Sequence, residues 1–161
     1  MPASAAQAQA ARALVLRPGQ AVYVGDIAFN VDNARASADS DAMVVVQGDV
    51  VIGFYRLDYA RTVVARQVLD PRTVTLRAFA LGAPWQGRGL GRAALAACWA
   101  DLAARHPDRP LLALNVHVRN HTALALYLRA GFADSGETLP GGSAGPQRLL
   151  LGAPGVGQCP P

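Results

Sequence analysis

The chain has 161 residues, 52% of them apolar and 16% charged, with a formal net charge of +4, a length that suits one domain with a real core. Two cysteines, Cys98 and Cys159, exclude a disulfide-rich scaffold and fit a reducing compartment. All 15 basic residues are arginines scattered singly, and no apolar run approaches a membrane span, so a nucleic-acid surface and a membrane anchor are both disfavoured.

Met1 to Ala11 is Ala/Gln-rich and lacks the basic and apolar regions of a secretory signal, so it reads as a flexible leader on a cytoplasmic protein. Residues 12–152 then read as one domain, and 153–161 as a disordered tail. Arg12 to Arg17 alternates apolar and polar residues before Pro18-Gly19 and predicts a first strand. Gln20 to Asn30 carries Val24, Ile27 and Ala28 at helical spacing, and Asp32 to Asp41 is polar, a short helix or loop. Met43–Gln47 and Val50–Leu57 flank the turn signal Gly48-Asp49 and predict a hairpin. Thr73–Leu81 is a long strand. It runs into the Gly-rich turn Gly82–Gly91, and Arg92–Arg105 follows as an amphipathic helix with Leu95, Cys98, Trp99 and Leu102 on one face. Leu111–Val118 is a buried-type strand, His121–Ala130 a helix closed by Gly131, and Phe132 onward and Gln147–Leu151 are strands. The order predicts a mixed sheet with helices packed on it, an α/β (α+β) fold.

The strand–turn–helix from Val74 to Arg105 carries the chemistry. Gly87, Gly89 and Gly91 allow a tight curl and keep side chains away from a ligand. The helix that follows offers unpaired N–H groups and the positive end of its dipole. Together they suit a pyrophosphate, with Arg88 and Arg92 able to add charge-assisted contacts. A Walker loop is excluded because there is no lysine. A dinucleotide fingerprint is excluded because Arg92 stands where its last glycine belongs. A flexible Gly-rich connector remains the plain alternative. Trp85 is expected to pack under the loop, and Trp99 and Cys98 to lie in the core. No Cys/His cluster has metal-ligand spacing.

Two blocks resemble the GNAT N-acetyltransferase family. Gln86-Gly87-Arg88-Gly89-Leu90-Gly91 matches its Gln/Arg-x-x-Gly-x-Gly/Ala loop. Asn120-His121-Thr122-Ala123, Tyr127 and Gly131-Phe132 match its Asn-x-x-Ala-x-x-x-Tyr-x-x-x-Gly-Phe block, in the family's order. The resemblance covers about Met43 to Leu151. It implies a single-domain fold with a mixed sheet of six to seven strands whose central pair, Thr73–Leu81 and Leu111–Val118, is splayed. It implies acetyl-CoA as cosubstrate, its diphosphate on Gln86–Arg92, its pantetheine arm against backbone near Ala80 and Leu81 and against Asn120, and Tyr127 as general acid. By its residues alone Tyr127 reads as a core aromatic.

The general base is left open among Asp58, His117, Asp32, Glu137 and water. The long strand, where many relatives carry a Glu, has Thr75 and Arg77 instead. The stretch Arg17–Tyr59 resembles polyamine acetyltransferases, and Asp26, Asp32, Asp39, Asp41, Asp58 and Glu137 are candidates to face a cationic acceptor. Surface acids are the plain reading for most of them. The expected reaction is transfer to a primary amine of a small molecule in a ternary complex, with an acetyl-CoA-binding module without turnover as the alternative. A homodimer is compatible with this reading.

Overall fold

The computed structural model describes residues 1–60, 62–63, 65–141 and 145–153. Six strands form one mixed sheet in the order β1-β2-β3-β4-β6-β5, within an α+β fold. These strands are β1 (Ser40–Gln47), β2 (Val50–Asp58), β3 (Val74–Leu81), β4 (Leu112–His117), β5 (Ala133–Leu139) and β6 (Gln147–Gly152). The helices are α1 (Ala5–Arg12), α2 (Ala21–Val24), α3 (Ile27–Ala36), α4 (Leu90–Arg105) and α5 (His121–Arg129). The described chain falls into two compact units, one of residues 1–60 and 76–91, the other drawn from 61–75 and 92–161.

In the first unit, β1 and β2 form the expected hairpin around Gly48, whose φ is +60°. A buried cluster joins Ala8 and Ala11 of α1, Ile27, Val31 and Ala34 of α3, and Ala42, Phe54 and Ala80 of the strands. This region corrects three expectations. The leader contains α1, closed by a capping box in which Ser4 accepts from the Gln7 N–H and the Gln7 side chain accepts from the Ser4 N–H. Alanine's high helix propensity, and the small Ala8 and Ala11 side chains that let the helix pack closely, outweigh the absence of large apolar residues. The strand expected at Arg12–Arg17 is absent: this segment leaves α1 without regular structure, and Val15 stays exposed. The helix expected across Gln20–Asn30 is two helices. Gly25 at φ +81° ends α2, and the Asp26 carboxylate starts α3 by accepting from the Phe29 N–H at 2.7 Å.

In the second unit, β4 lies antiparallel to β6, and β6 to β5. Val63, Leu69, Ala113, Leu139 and Leu149 form its buried cluster. Trp99 and Cys98 are buried on α4 as expected, and Trp99 packs against Phe132 with ring centroids 5.3 Å apart and planes tilted by 37°. Gly131 follows α5 with φ +100°, the left-handed position that closes a helix. The tail beyond Ala153 lies outside the described residues.

The parallel ladder between β3 and β4 pairs only Val74 with Leu112 and Thr75 with Ala113. Both strands run on past it, β3 to Leu81 and β4 to His117. Ala78, midway along β3, has φ +52°, the one non-glycine in the left-handed region among the described residues. Such a residue interrupts the regular alternation of a strand, so β3 is locally distorted beyond its short ladder with β4.

Candidate functional site

The Gly-rich turn is built as a cradle from its backbone upward. β3 ends at Leu81, and a single 3-10 turn, Ala83–Trp85, reverses the chain. The Gly82 N–H donates to the Ile52 carbonyl at 2.8 Å, and the Ala83 N–H donates to the Val15 carbonyl at 2.7 Å. Gly87 and Gly89 then adopt φ values of +71° and +76°. A Cβ added at either would meet no atom within 4 Å. Their requirement for glycine is therefore conformational, and the space above both is open. Leu90 begins α4 directly, so the exposed turn delivers the first N–H groups and positive end of a 16-residue helix to that space.

Arg88 on this turn and Arg92 in the first turn of α4 are both exposed. The Arg88 guanidinium lies over the Trp85 ring, 5.2 Å from its centroid. Trp85 is thus half-buried beside the turn, as the sequence suggested. Ala80 and Leu81 are buried. The Ala80 carbonyl crowds Gly53 of β2, where an added Cβ would come within 2.7 Å of it. With Ala80 and Gly82 turned toward β2, the alternation of a strand turns the backbone groups of Leu81 the other way.

The Gln86 side chain is held by protein groups. Its Nε2 donates to the Leu81 carbonyl at 2.8 Å and to Gln20 Oε1 at 2.7 Å, while Gln20 Nε2 donates to Gln86 Oε1 at 2.9 Å. The side chain braces the turn from below. Gln20 is a residue the sequence reading did not single out, and its partner 66 positions away leaves no local signal.

In the second unit, Asn120 caps α5, its Oδ1 accepting from the Ala123 N–H at 3.4 Å. Tyr127 lies two turns along the same helix and is buried. Its ring meets Phe132 edge-on, with centroids 5.6 Å apart. Burial, and after it the neighbouring Cys98 thiol, push the Tyr127 phenol well above its ordinary value. The group therefore holds its proton throughout the neutral range.

The four candidate bases are all engaged. Asp58 is fully buried in a polar network: Ser40 Oγ donates to its Oδ1 at 2.6 Å, Arg56 Nε to the same oxygen at 2.9 Å, and Arg77 Nη1 to Oδ2 at 2.8 Å. Burial by itself would raise the Asp58 carboxyl, but the hydrogen bonds from Ser40 and Arg77 and the Arg56 charge outweigh it and hold the group below the usual carboxylate range. Asp32 pairs with Arg12 at 2.6 Å on the surface. The Glu137 carboxylate accepts from the main-chain N–H groups of Arg66 and Gln67 at 3.0 and 3.3 Å. His117 Nδ1 accepts from the Arg119 N–H at 3.0 Å. Among the described residues, no group of three or more His, Cys, Asp or Glu side chains is arranged to hold a metal ion, and no helix is long and apolar enough to cross a membrane.

A strand ending in a left-handed Gly turn that opens onto a long helix is an anion-binding arrangement. The chain belongs to the acetyltransferase (GNAT) family, whose model matches residues 15–132. No match was found among the curated proteins. Solved structures share the fold at low identity. An uncharacterized protein (bh2621) from Bacillus halodurans has a TM-score of 0.78 and 12% identity over 97% of this chain and 83% of its own. AAC(6')-Ib in complex with parmomycin and acetyl-CoA has a TM-score of 0.75 and 17% identity over 95% and 91%. Spermidine N-acetyltransferase from Vibrio cholerae, in complex with CoA and spermine, has a TM-score of 0.69 and 14% identity over 97% and 95%.

Proposed function

We propose that this chain transfers the acetyl group of acetyl-CoA to a primary amine of a small molecule by direct attack in a ternary complex. The observation that carries the reading is the pair of left-handed glycines, Gly87 and Gly89, opening straight into α4 in a chain of the acetyltransferase family. In this reading the main-chain N–H groups of 87–91 hold the diphosphate, and Arg88 and Arg92 add charge. The pantetheine arm runs along the end of β3 by Ala80 and Leu81, and Asn120 at the start of α5 lines its course. Acetyl-CoA brings the thioester; the protein orients it and manages protons.

The amine nitrogen attacks the thioester carbonyl carbon, and the developing oxyanion takes a hydrogen bond from the Leu81 N–H, which faces away from β2. The carbon–sulfur bond then breaks. Tyr127 gives its proton to the departing sulfur, and the proton lost by the amine passes to water, from which the phenol is restored. The raised phenol favours this order, because a lasting phenolate at a buried position is disfavoured. The products are an acetamide and the coenzyme A thiol.

The acceptor is a small amine, and a polyamine and an aminoglycoside are the first members of a test panel, since structures of this fold carry such ligands in their names. Coenzyme A thiol release is followed for each amine with wild type and Tyr127→Phe. An acceptor-dependent rate that falls about 10²- to 10⁴-fold in the variant, with coenzyme A affinity intact, supports transfer through a tyrosine acid. Tight coenzyme A binding with no acceptor-dependent release rejects transfer and leaves a binding module.

A further inference from the structure

We infer that Gln20 is a positioning residue for the diphosphate turn, acting through Gln86; the inference rests on the coenzyme A reading above. The two side-chain amides form a reciprocal pair, Gln86 Nε2 to Gln20 Oε1 at 2.7 Å and Gln20 Nε2 to Gln86 Oε1 at 2.9 Å. Backbone groups of fixed polarity set both orientations. The Arg17 N–H donates to Gln20 Oε1 at 3.0 Å, which makes that atom the oxygen. The Leu81 carbonyl accepts from Gln86 Nε2 at 2.8 Å, which makes that atom the nitrogen. Neither amide can rotate by half a turn without losing three hydrogen bonds and setting like atoms together.

The pair ties the residue directly before Gly87 to two anchors at once, the end of β3 and the segment that leads into α2. The same segment grips the turn at its other end, through the Ala83 N–H on the Val15 carbonyl at 2.7 Å and Leu14 beneath Gly82. Gly87 and Gly89 have no side chains to hold them and touch nothing where a Cβ would stand. Their left-handed geometry therefore depends on how firmly the chain is held at Gln86. With both ends of its amide occupied by protein, Gln86 serves a bound diphosphate by fixing the amides that follow it. Gln20 completes that hold, and ordering the cradle before the ligand arrives lowers the ordering cost of binding.

The test is calorimetric and kinetic. Gln20→Ala should weaken coenzyme A about 5- to 20-fold. Turnover of S-acetylpantetheine, which has no diphosphate, should stay at the wild-type kcat/KM. Gln20 is half-exposed, so the variant should fold, but a second route avoids dependence on that. Gln20→Glu leaves a carboxylate facing Gln86 Oε1 and should also weaken coenzyme A. Adding Gln86→Arg, the other residue the family motif allows there, restores a donor to both the introduced carboxylate and the Leu81 carbonyl and should recover most of the affinity. Equal coenzyme A affinity in wild type and Gln20→Ala overturns the inference while leaving the acetyltransferase reading intact. So does an equal loss with S-acetylpantetheine, which marks a general structural defect. A wild type with no affinity for coenzyme A overturns both.

Discussion

Replacing Asp58 by asparagine separates a structural carboxylate from a catalytic one. Asp58 and Arg56 stand two residues apart on β2, on the same face, with side chains 3% and 5% exposed and 2.9 Å between them. The amide in Asp58→Asn would retain the Ser40 contact but leave the Arg56 guanidinium buried with no compensating charge. Removing one partner of such a pair costs about 3–5 kcal/mol, because the remaining charge is stranded away from water. For a chain of this size that is a fall in Tm of roughly 6–20 °C. Arg77 contacts the other oxygen at 2.8 Å, but its side chain is 46% exposed, so Arg77→Gln should cost no more than about 1 kcal/mol. Replacing Arg56 and Asp58 together by leucine should cost less than Asp58→Asn alone, since no orphan charge remains. The acid response has a definite sign. A carboxyl held below its unfolded value contributes stability above the unfolded pKa, about 3.9, and loses it as the pH falls through the folded pKa. Wild type should therefore soften below about pH 4, and Asp58→Asn should show a flatter acid limb. Urea denaturation across about pH 2–7 reads all of this. A loss under about 1 kcal/mol with kcat reduced roughly a hundredfold would refute the structural assignment and return Asp58 to the role of base.

The glycine turn and the β3 distortion supply two more expectations. Gly89→Ala places a side chain at φ +76°, at a strain of about 1–2 kcal/mol, so coenzyme A affinity should fall about tenfold by calorimetry; wild-type affinity would mean the left-handed turn is not what binds. Ala78→Gly relieves the φ +52° backbone and should raise stability by about 0.5–1 kcal/mol in a denaturant titration, and a loss of that size would show that Ala78 is not strained.

Elements whose cause is local were legible in the sequence. The hairpin follows from Gly48-Asp49 between β-branched runs, and α5 from the helical run His121–Ala130 and its Gly131 stop, so the helix and the turn fell where the structure has them. α1 was misread because no pattern of large apolar residues marks it; it is stabilised by alanine propensity and by the small contact surface of Ala8 and Ala11. The same rule produced the false strand at Arg12–Arg17, where an alternation of apolar and polar residues has no neighbouring strand to pair with. At the site, Gly87 and Gly89 announce their conformation because only glycine adopts it cheaply. The brace between Gln20 and Gln86 is silent, since glutamine is common at surfaces and the partners are distant in the chain. Ala78 is silent for a related reason: alanine ordinarily avoids that backbone region, so only coordinates disclose it.

Acidic residues that could face an acceptor are engaged with protein groups. Asp26 caps α3, Asp32 pairs with Arg12, Asp41 accepts the Tyr59 hydroxyl at 2.6 Å, Asp58 is bound by two arginines and Ser40, and Glu137 accepts from two main-chain N–H groups. For Asp58 the contacts hold the carboxyl below its usual range, which makes it a weaker proton acceptor. His117 already uses its Nδ1 lone pair on the Arg119 N–H, so the neutral ring carries its proton on Nε2 and must give up that contact to serve as a base through Nδ1. In the proposed reaction water takes the acceptor's proton. An amine with a pKa of about 10 then reaches the thioester in its neutral form by losing its proton to solvent, and kcat/KM should rise about tenfold per pH unit up to the acceptor's own pKa. That limb should move when the acceptor is exchanged for a less basic amine, and stay fixed when Asp58, Asp32, Glu137 or His117 is replaced in a folded variant.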